Sequence, residues 1–206
     1  PLTPIFHKLL IEQNKINLPA IIINVGGVAN FTLVWQDQDK EIPKQNHLIS
    51  RDTGPGNCLI DQWIIKNSTQ LYDKDGKIAQ SGKINQEIVD QALDAMTIKA
   101  SYDVKDFNLS LFKKLSLEDG AATLTEYTVD TIKTSLLDYL EDVNWHKSIH
   151  ILISGGGRKN NFLINRIKKK IIIPIKLIDD LGINGDFVES QAFAYLAIRS
   201  CLKLPI

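Results

Sequence analysis

The 206-residue chain is 44% hydrophobic, and its 24 basic and 24 acidic side chains leave a formal net charge of zero. That balance gives no basic field for nucleic acid, and the size suits one globular domain with a real core or two small ones. No apolar run is long enough to span a bilayer, and Ile171-Ile172-Ile173 is broken at once by Pro174.

Residues 20–25 form the first expected strand, a continuous apolar run between Pro19 and Gly26-Gly27. A second strand follows at 28–35, with Ala29, Phe31, Leu33 and Trp35 on one face and Asn30 and Thr32 on the other. The two read as a hairpin. Residues 36–46 are polar and connect to a short third strand at 47–50. A glycine-rich turn, 51–57, then leads into an amphipathic helix starting near Cys58. Helices are expected at 85–97 and 121–140, with mixed, irregular chain at 99–117. A buried strand at 149–153, a basic helix at 161–170, a strand at 175–178 and a helix at 187–202 complete the order. Antiparallel strands come first and crossover units later, which predicts an α/β fold with a mixed sheet and flanking helices.

Three glycine clusters carry the candidate chemistry. In Arg51-Asp52-Thr53-Gly54-Pro55-Gly56-Asn57 a carboxylate precedes a helix whose free N–H groups would welcome an anion. The same residues are equally read as a tight turn with Asp52 as a cap. Asn24-Val25-Gly26-Gly27-Val28-Ala29-Asn30 is either an ordinary hairpin turn or a set of fixed backbone donors for phosphate. Ser154-Gly155-Gly156-Gly157-Arg158-Lys159-Asn160 fits neither the dinucleotide nor the P-loop spacing. It reads as a strand-to-helix turn, or as bare backbone for a ring or phosphate. Arg158 and Lys159 either face phosphate or, as is commoner at a helix start, stand in solvent, and the run Lys168-Lys169-Lys170 is expected to be a solvated helix end. Asp186 and Glu189 can form a capping box on the last helix, with Glu189 also a candidate functional group.

Cys58 and Cys201 make no disulfide framework, and the four histidines fall in no metal spacing. A cytoplasmic location and no protein-built metal site are expected. A chain opening on Pro1-Leu2-Thr3-Pro4, without initiator Met or leader, is expected to be a fragment or a processed product.

Together, residues 1–10, 24–32, 52–63, 105–107, 121–128, 155–163 and 181–199 resemble the anhydro-N-acetylmuramic acid kinases. The resemblance implies one lobe of the actin-like (ribonuclease H-like) ATPase fold. Residues 1–18 would connect lobes and 19–206 would form the carboxy-terminal lobe. It further implies an ATP- and Mg²⁺-dependent kinase that opens the 1,6-anhydro ring of anhydro-N-acetylmuramate with water and phosphorylates O6, in peptidoglycan recycling. Asp52 would be the general base. Asn24, Gly26, Gly27, Asn30, Thr53, Gly54, Gly56 and Asn57 would face phosphates and sugar, and Gly155, Gly156, Gly157 and Asn160 the nucleoside. A separately encoded amino-terminal lobe and a homodimer are implied partners, with no nucleic acid and no membrane. Arg51 stands where the family usually has an aromatic residue, and 101–104 replaces a segment that normally carries arginine. The competing expectations are an inactive remnant that binds nucleotide weakly, or another actin-like interaction module.

Overall fold

The computed structural model describes residues 3–36, 46–140 and 148–205. Most of the polar connection expected at 36–46, and His146, lie outside them. The expected hairpin is formed by β1 (Ala20–Val25) and β2 (Val28–Gln36), joined by Gly26-Gly27. β3 (Asn46–Pro55) pairs antiparallel with β2, while β4 (His150–Ser154) and β5 (Ile175–Leu177) add in parallel beyond β1. The resulting five-stranded order is β3-β2-β1-β4-β5.

β1 has an apolar run rather than an alternation because both faces of the sheet are covered. On one face Ile21, Ile23, Phe31, Leu33 and Ile151 pack against Val129 and Ile132 of α5 (Leu117–Leu140) and Leu163 and Ile167 of α6 (Asn161–Lys170). On the other, Ala20, Ile22, Val34 and Leu152 meet Ile11 of α1 (Pro4–Gln13). α7 (Val188–Cys201) then packs on α1 through Val188 and Ala192 against Phe6 and Leu10. α2 (Cys58–Asn67), α3 (Lys77–Ser81) and α4 (Gln86–Asp94) form a separate apolar cluster with the start of α5. No described helix is long and apolar enough to cross a membrane.

The structure corrects several boundaries. β3 does not stop at Ser50, because Arg51 to Pro55 continue its ladder and only Gly56-Asn57 turn into α2. The strand end is anchored by Thr128 of α5, whose Oγ1 lies 2.8 and 2.9 Å from the carbonyl oxygens of Pro55 and Gly56. α4 ends at Asp94 rather than at 97, and the irregular stretch contains two 3₁₀ turns, Val104–Asp106 and Ser110–Phe112. Lys168 and Lys169 are exposed as expected, but Lys170 folds back onto Glu126 and Asp130 of α5. Burial alone would raise the Glu126 carboxyl, and hydrogen bonds from Arg166 and Lys170 reverse that and hold it low.

His7 is fully buried between α1 and β2, with Nδ1 2.8 Å from Thr32 Oγ1 and Nε2 without a partner among the described residues. Burial disfavours its cation and lowers its pKa to about 4 from 6.5. The unfolded chain therefore takes up this proton first, so His7 costs stability as pH falls from about 6.5 toward about 4. Thermal midpoints measured across that range should drop on acidification, and His7→Gln should flatten the drop.

Candidate active site

Four polar side chains stand in one row across four adjacent strands. Asn24 at the end of β1 is in register with Asn30 of β2 and with Ser154 of β4, and Asn30 is in register with Asp52 of β3. The row lies on the face that α1 and α7 cover, just beyond buried Ile22, Thr32 and Leu152. Its fourth member depends on a single irregularity. Val28 and Ala29 pair with Pro55 and Gly54, but from Asn30 onward the register shifts, leaving Thr53 as the extra residue of a β-bulge. Without the shift Asp52 would pair with Phe31 and turn its carboxylate into the apolar layer under α5.

A cavity of about 450 Å³ opens over the row and brings together Asn24, Gly26, Gly27, Asn30, Asp52, Ser154, Gly155, Gly156 and Glu189. Asn30 Oδ1 and Ser154 Oγ are buried and form no hydrogen bond among the described residues. Asp52 is half-buried. Its Oδ2 accepts from Ser101 Oγ and from the Tyr102 N–H, both at 2.8 Å, and Oδ1 has no hydrogen bond among the described residues. The clamping segment is itself braced by the Lys99–Asp106 ion pair at 2.6 Å and by Tyr102 against Phe107.

Other expected residues fall elsewhere, for packing reasons. The two amides that open α2 are not available to an anion. Asn57 N donates to Gly26 O at 2.7 Å and Cys58 N to Gly27 O at 3.1 Å, so both tie the helix start to the hairpin. Thr53, Gly54 and Gly56 do not line the cavity. Gly54 has φ +146°, and a Cβ there would meet Thr131 of α5 at 2.9 Å; one at Gly56 would strike the Gly26 carbonyl oxygen. Asn57, Gly157 and Asn160 line a second cavity of about 430 Å³, together with Asp61, Tyr72 and Lys74. Asn160 Oδ1 also caps α6 by accepting from Leu163 N at 3.0 Å. Gly156 borders both cavities.

Gly27 and Gly156 differ from these packing glycines. Neither has a positive φ, and an added Cβ meets nothing within 4 Å at Gly27 and only Asn57 Nδ2 at 3.9 Å at Gly156. Neither the fold's geometry nor its packing requires glycine there.

Arg158 is not solvated but 5% exposed. Its Nε donates to Asp179 at 2.7 Å, Nη2 to Asp186 at 2.7 Å and Nη1 to Gly155 O at 3.0 Å. Asp186 is therefore drawn away from the expected capping box, and α7 has no side-chain cap. Glu189 is left exposed at the cavity, with no hydrogen bond or ion pair among the described residues. Among the described residues no group of three or more His, Cys, Asp or Glu is placed to hold a metal ion.

All 206 residues match the family model described as anhydro-N-acetylmuramic acid kinase. The chain belongs to that family. Among curated relatives, the anhydro-N-acetylmuramic acid kinase of Pelagibacter ubique (strain HTCC1062) is 47% identical over 210 residues, covering 98% of this chain and 54% of that protein. The Zymomonas mobilis kinase of the same name is 35% identical, covering 100% and 54%. The chain thus spans about half the length of the curated relatives it matches. Two solved structures share the fold. They are the activator of 2-hydroxyisocaproyl-CoA dehydratase from Clostridium difficile, solved with bound ADPNP (TM-score 0.50, 12% identity, 91% of this chain and 64% of that one), and xylulose kinase from Rhodospirillum rubrum (0.51, 9%, 79% and 35%). The expected actin-like ATPase and sugar-kinase fold is therefore present.

In this member of the anhydro-N-acetylmuramic acid kinase family, Ser154 and the Ser101-Tyr102 clamp are candidate-site residues to which the sequence reading gave no role, and Arg158 is a buried anchor rather than a solvated or phosphate-facing charge. Ser154 enters through its strand register with Asn24, and the clamp through a contact 49 residues away in sequence. Asp61 is likewise new. It projects from the first turn of α2, and burial pushes its carboxyl up to about 6 from 3.8. The unfolded chain loses this proton first, so ionised Asp61 opposes folding increasingly from about pH 4 to 6 and fully above. Asp61→Asn should raise the thermal midpoint at pH 8 and leave it nearly unchanged near pH 4.

Proposed function

We propose that this chain is the carboxy-terminal lobe of an ATP-dependent kinase that hydrolyses the 1,6-anhydro ring of anhydro-N-acetylmuramate and phosphorylates the released O6. Residues 1–18 lead in from the other lobe. The observation that carries the reading is the row itself, in which Asp52, Asn30 and Ser154 present unsatisfied oxygens to one cavity bordered by two bare glycine turns. Family membership supports the reaction, and the curated relatives bear its name.

In this mechanism Asp52 acts as general base. With Oδ2 held by Ser101 and Tyr102, Oδ1 takes a proton from the water that attacks the anomeric carbon. The C1–O6 bond breaks, O6 attacks the γ-phosphorus, and ADP leaves. Asn30 and Ser154 orient water and sugar hydroxyls. Gly26, Gly27, Gly155 and Gly156 let phosphate oxygens approach the backbone closely, and such preset positioning supplies much of the rate in phosphoryl transfer. Glu189, without a partner among the described residues at the cavity, would supply a carboxylate to Mg²⁺ brought in with the phosphates, an ion that usually takes one or two such ligands. When bound, the ion neutralises charge developing on the phosphates. The nucleoside occupies the second cavity, beyond Gly156 and against Gly157, Asn57 and Asn160. These reactants place the enzyme in the cytoplasm.

The chain alone should turn over little, because half a clamp positions its substrates poorly. Mixed with the portion of the Pelagibacter relative that lies outside the aligned region, it should form phosphorylated N-acetylmuramate from the anhydro sugar, ATP and Mg²⁺. In that mixture Asp52→Asn should cut turnover about a hundredfold or more with ATP affinity nearly intact. Equal loss of binding would make Asp52 a structural residue instead. Gly27→Ala should leave the thermal midpoint within about a degree, since its methyl meets open space, yet weaken ATP binding about tenfold by blocking the backbone. An unchanged ATP affinity would remove the hairpin turn from the phosphate site.

A further inference from the structure

The second cavity holds three carboxylates, and two are already engaged. Asp73 Oδ1 and Oδ2 accept from Ile78 N and Ala79 N, both at 2.9 Å, and Asp75 faces Lys77 at 3.7 Å. Of the cavity's lysines, Lys159 is paired with Asp186, and Lys74 is exposed. Asp61 alone among these carboxylates has neither a hydrogen bond nor an ion pair with the described residues. Its removal from water therefore goes uncompensated within the chain.

Its position along α2 indicates what could compensate it. Asp61 N donates to Asn57 O at 2.8 Å, so the two residues are one helical turn apart on the same face. Asn57 stands at the glycine wall. An added Cβ would lie 3.2 Å from its Oδ1 at Gly157 and 3.9 Å from its Nδ2 at Gly156. A ligand whose phosphates lie in the first cavity enters the second past Gly156, and the group that follows a nucleotide's phosphates is its ribose. Along α2, Asp61 stands about one helical pitch, roughly 5 Å, from Asn57 at the wall, within reach of a sugar that follows the phosphates. The base then extends past the sugar toward Tyr72 and Lys74.

We infer that the Asp61 carboxylate accepts hydrogen bonds from the vicinal ribose hydroxyls of the nucleotide and makes the site selective for ribonucleotides. Two carboxylate oxygens match two adjacent hydroxyl donors, and hydrogen bonds to a charged acceptor are the stronger kind. The raised pKa of Asp61 is consistent with a carboxyl kept in place despite its cost to folding. The inference rests on the nucleotide reading of the two cavities proposed above.

Equilibrium titration of this chain with Mg²⁺ and ATP, 2′,3′-dideoxy-ATP, inosine triphosphate or inorganic triphosphate separates the two. ATP should bind about tenfold more tightly than the dideoxy nucleotide. In Asp61→Ala that ratio should fall to near one while inorganic triphosphate binds as before. Asp61→Asn, which keeps an acceptor oxygen and removes a buried charge, guards against a folding defect and should retain part of the preference. A ribose preference that survives in Asp61→Ala overturns the assignment, as does loss of adenine-over-hypoxanthine preference in its place. Native chain that binds ATP and dideoxy-ATP equally overturns the ribose contact while leaving the nucleotide site standing. No binding of any nucleotide to the native chain overturns both.

Discussion

The candidate site depends on a one-residue slip in strand pairing. Side chains alternate faces along a strand, so a single extra residue decides which layer a carboxylate enters. With Thr53 bulged, Asp52 joins Asn30, Asn24 and Ser154 on the open face; without it, a charge would lie in the apolar layer beside Phe31. Burying an unpaired carboxylate there would cost several kcal/mol, so this register and the charge specify each other. Gly54 and Thr128 support the arrangement, one by giving Thr131 of α5 room and the other by fixing the last carbonyls of the strand.

The glycines divide by what their missing side chains make room for. Gly54, Gly56 and Gly157 admit Thr131, the Gly26 carbonyl and Val25, so their bareness serves the protein's own packing. Gly27 and Gly156 face open space. Arg158 binds these regions together, because the same guanidinium holds the Gly155 carbonyl, Asp179 and Asp186. The glycine turn and the approach to α7 are thereby fixed to each other.

Much of the fold was legible in the sequence because its signals are local. The apolar run ending at Gly26-Gly27, the alternation from Ala29 to Trp35 and the stripe of α5 each declare an element over a few residues. What could not be read is what partners decide. A glycine-rich run looks alike whether the space is filled by ligand or by Thr131, so Gly54 and Gly56 were expected at the ligand. Asp186 has the spacing of a capping box with Glu189, yet a buried guanidinium 28 residues away claims it. Register is also non-local, and nothing within residues 51–55 announces a bulge. The resemblance to a family singled out Asp52, while its route into the cavity emerged only from the paired strands.

Both hydrogen bonds that steady Asp52 come from consecutive residues, Ser101 and Tyr102, in a stretch with little buried apolar surface and with braces at its exterior. Local opening of so thin a segment needs far less free energy than global unfolding. The Asp52 carboxylate can therefore come loose while all five strands stay paired, and concentrated salt, which screens the Lys99–Asp106 brace, favours that release.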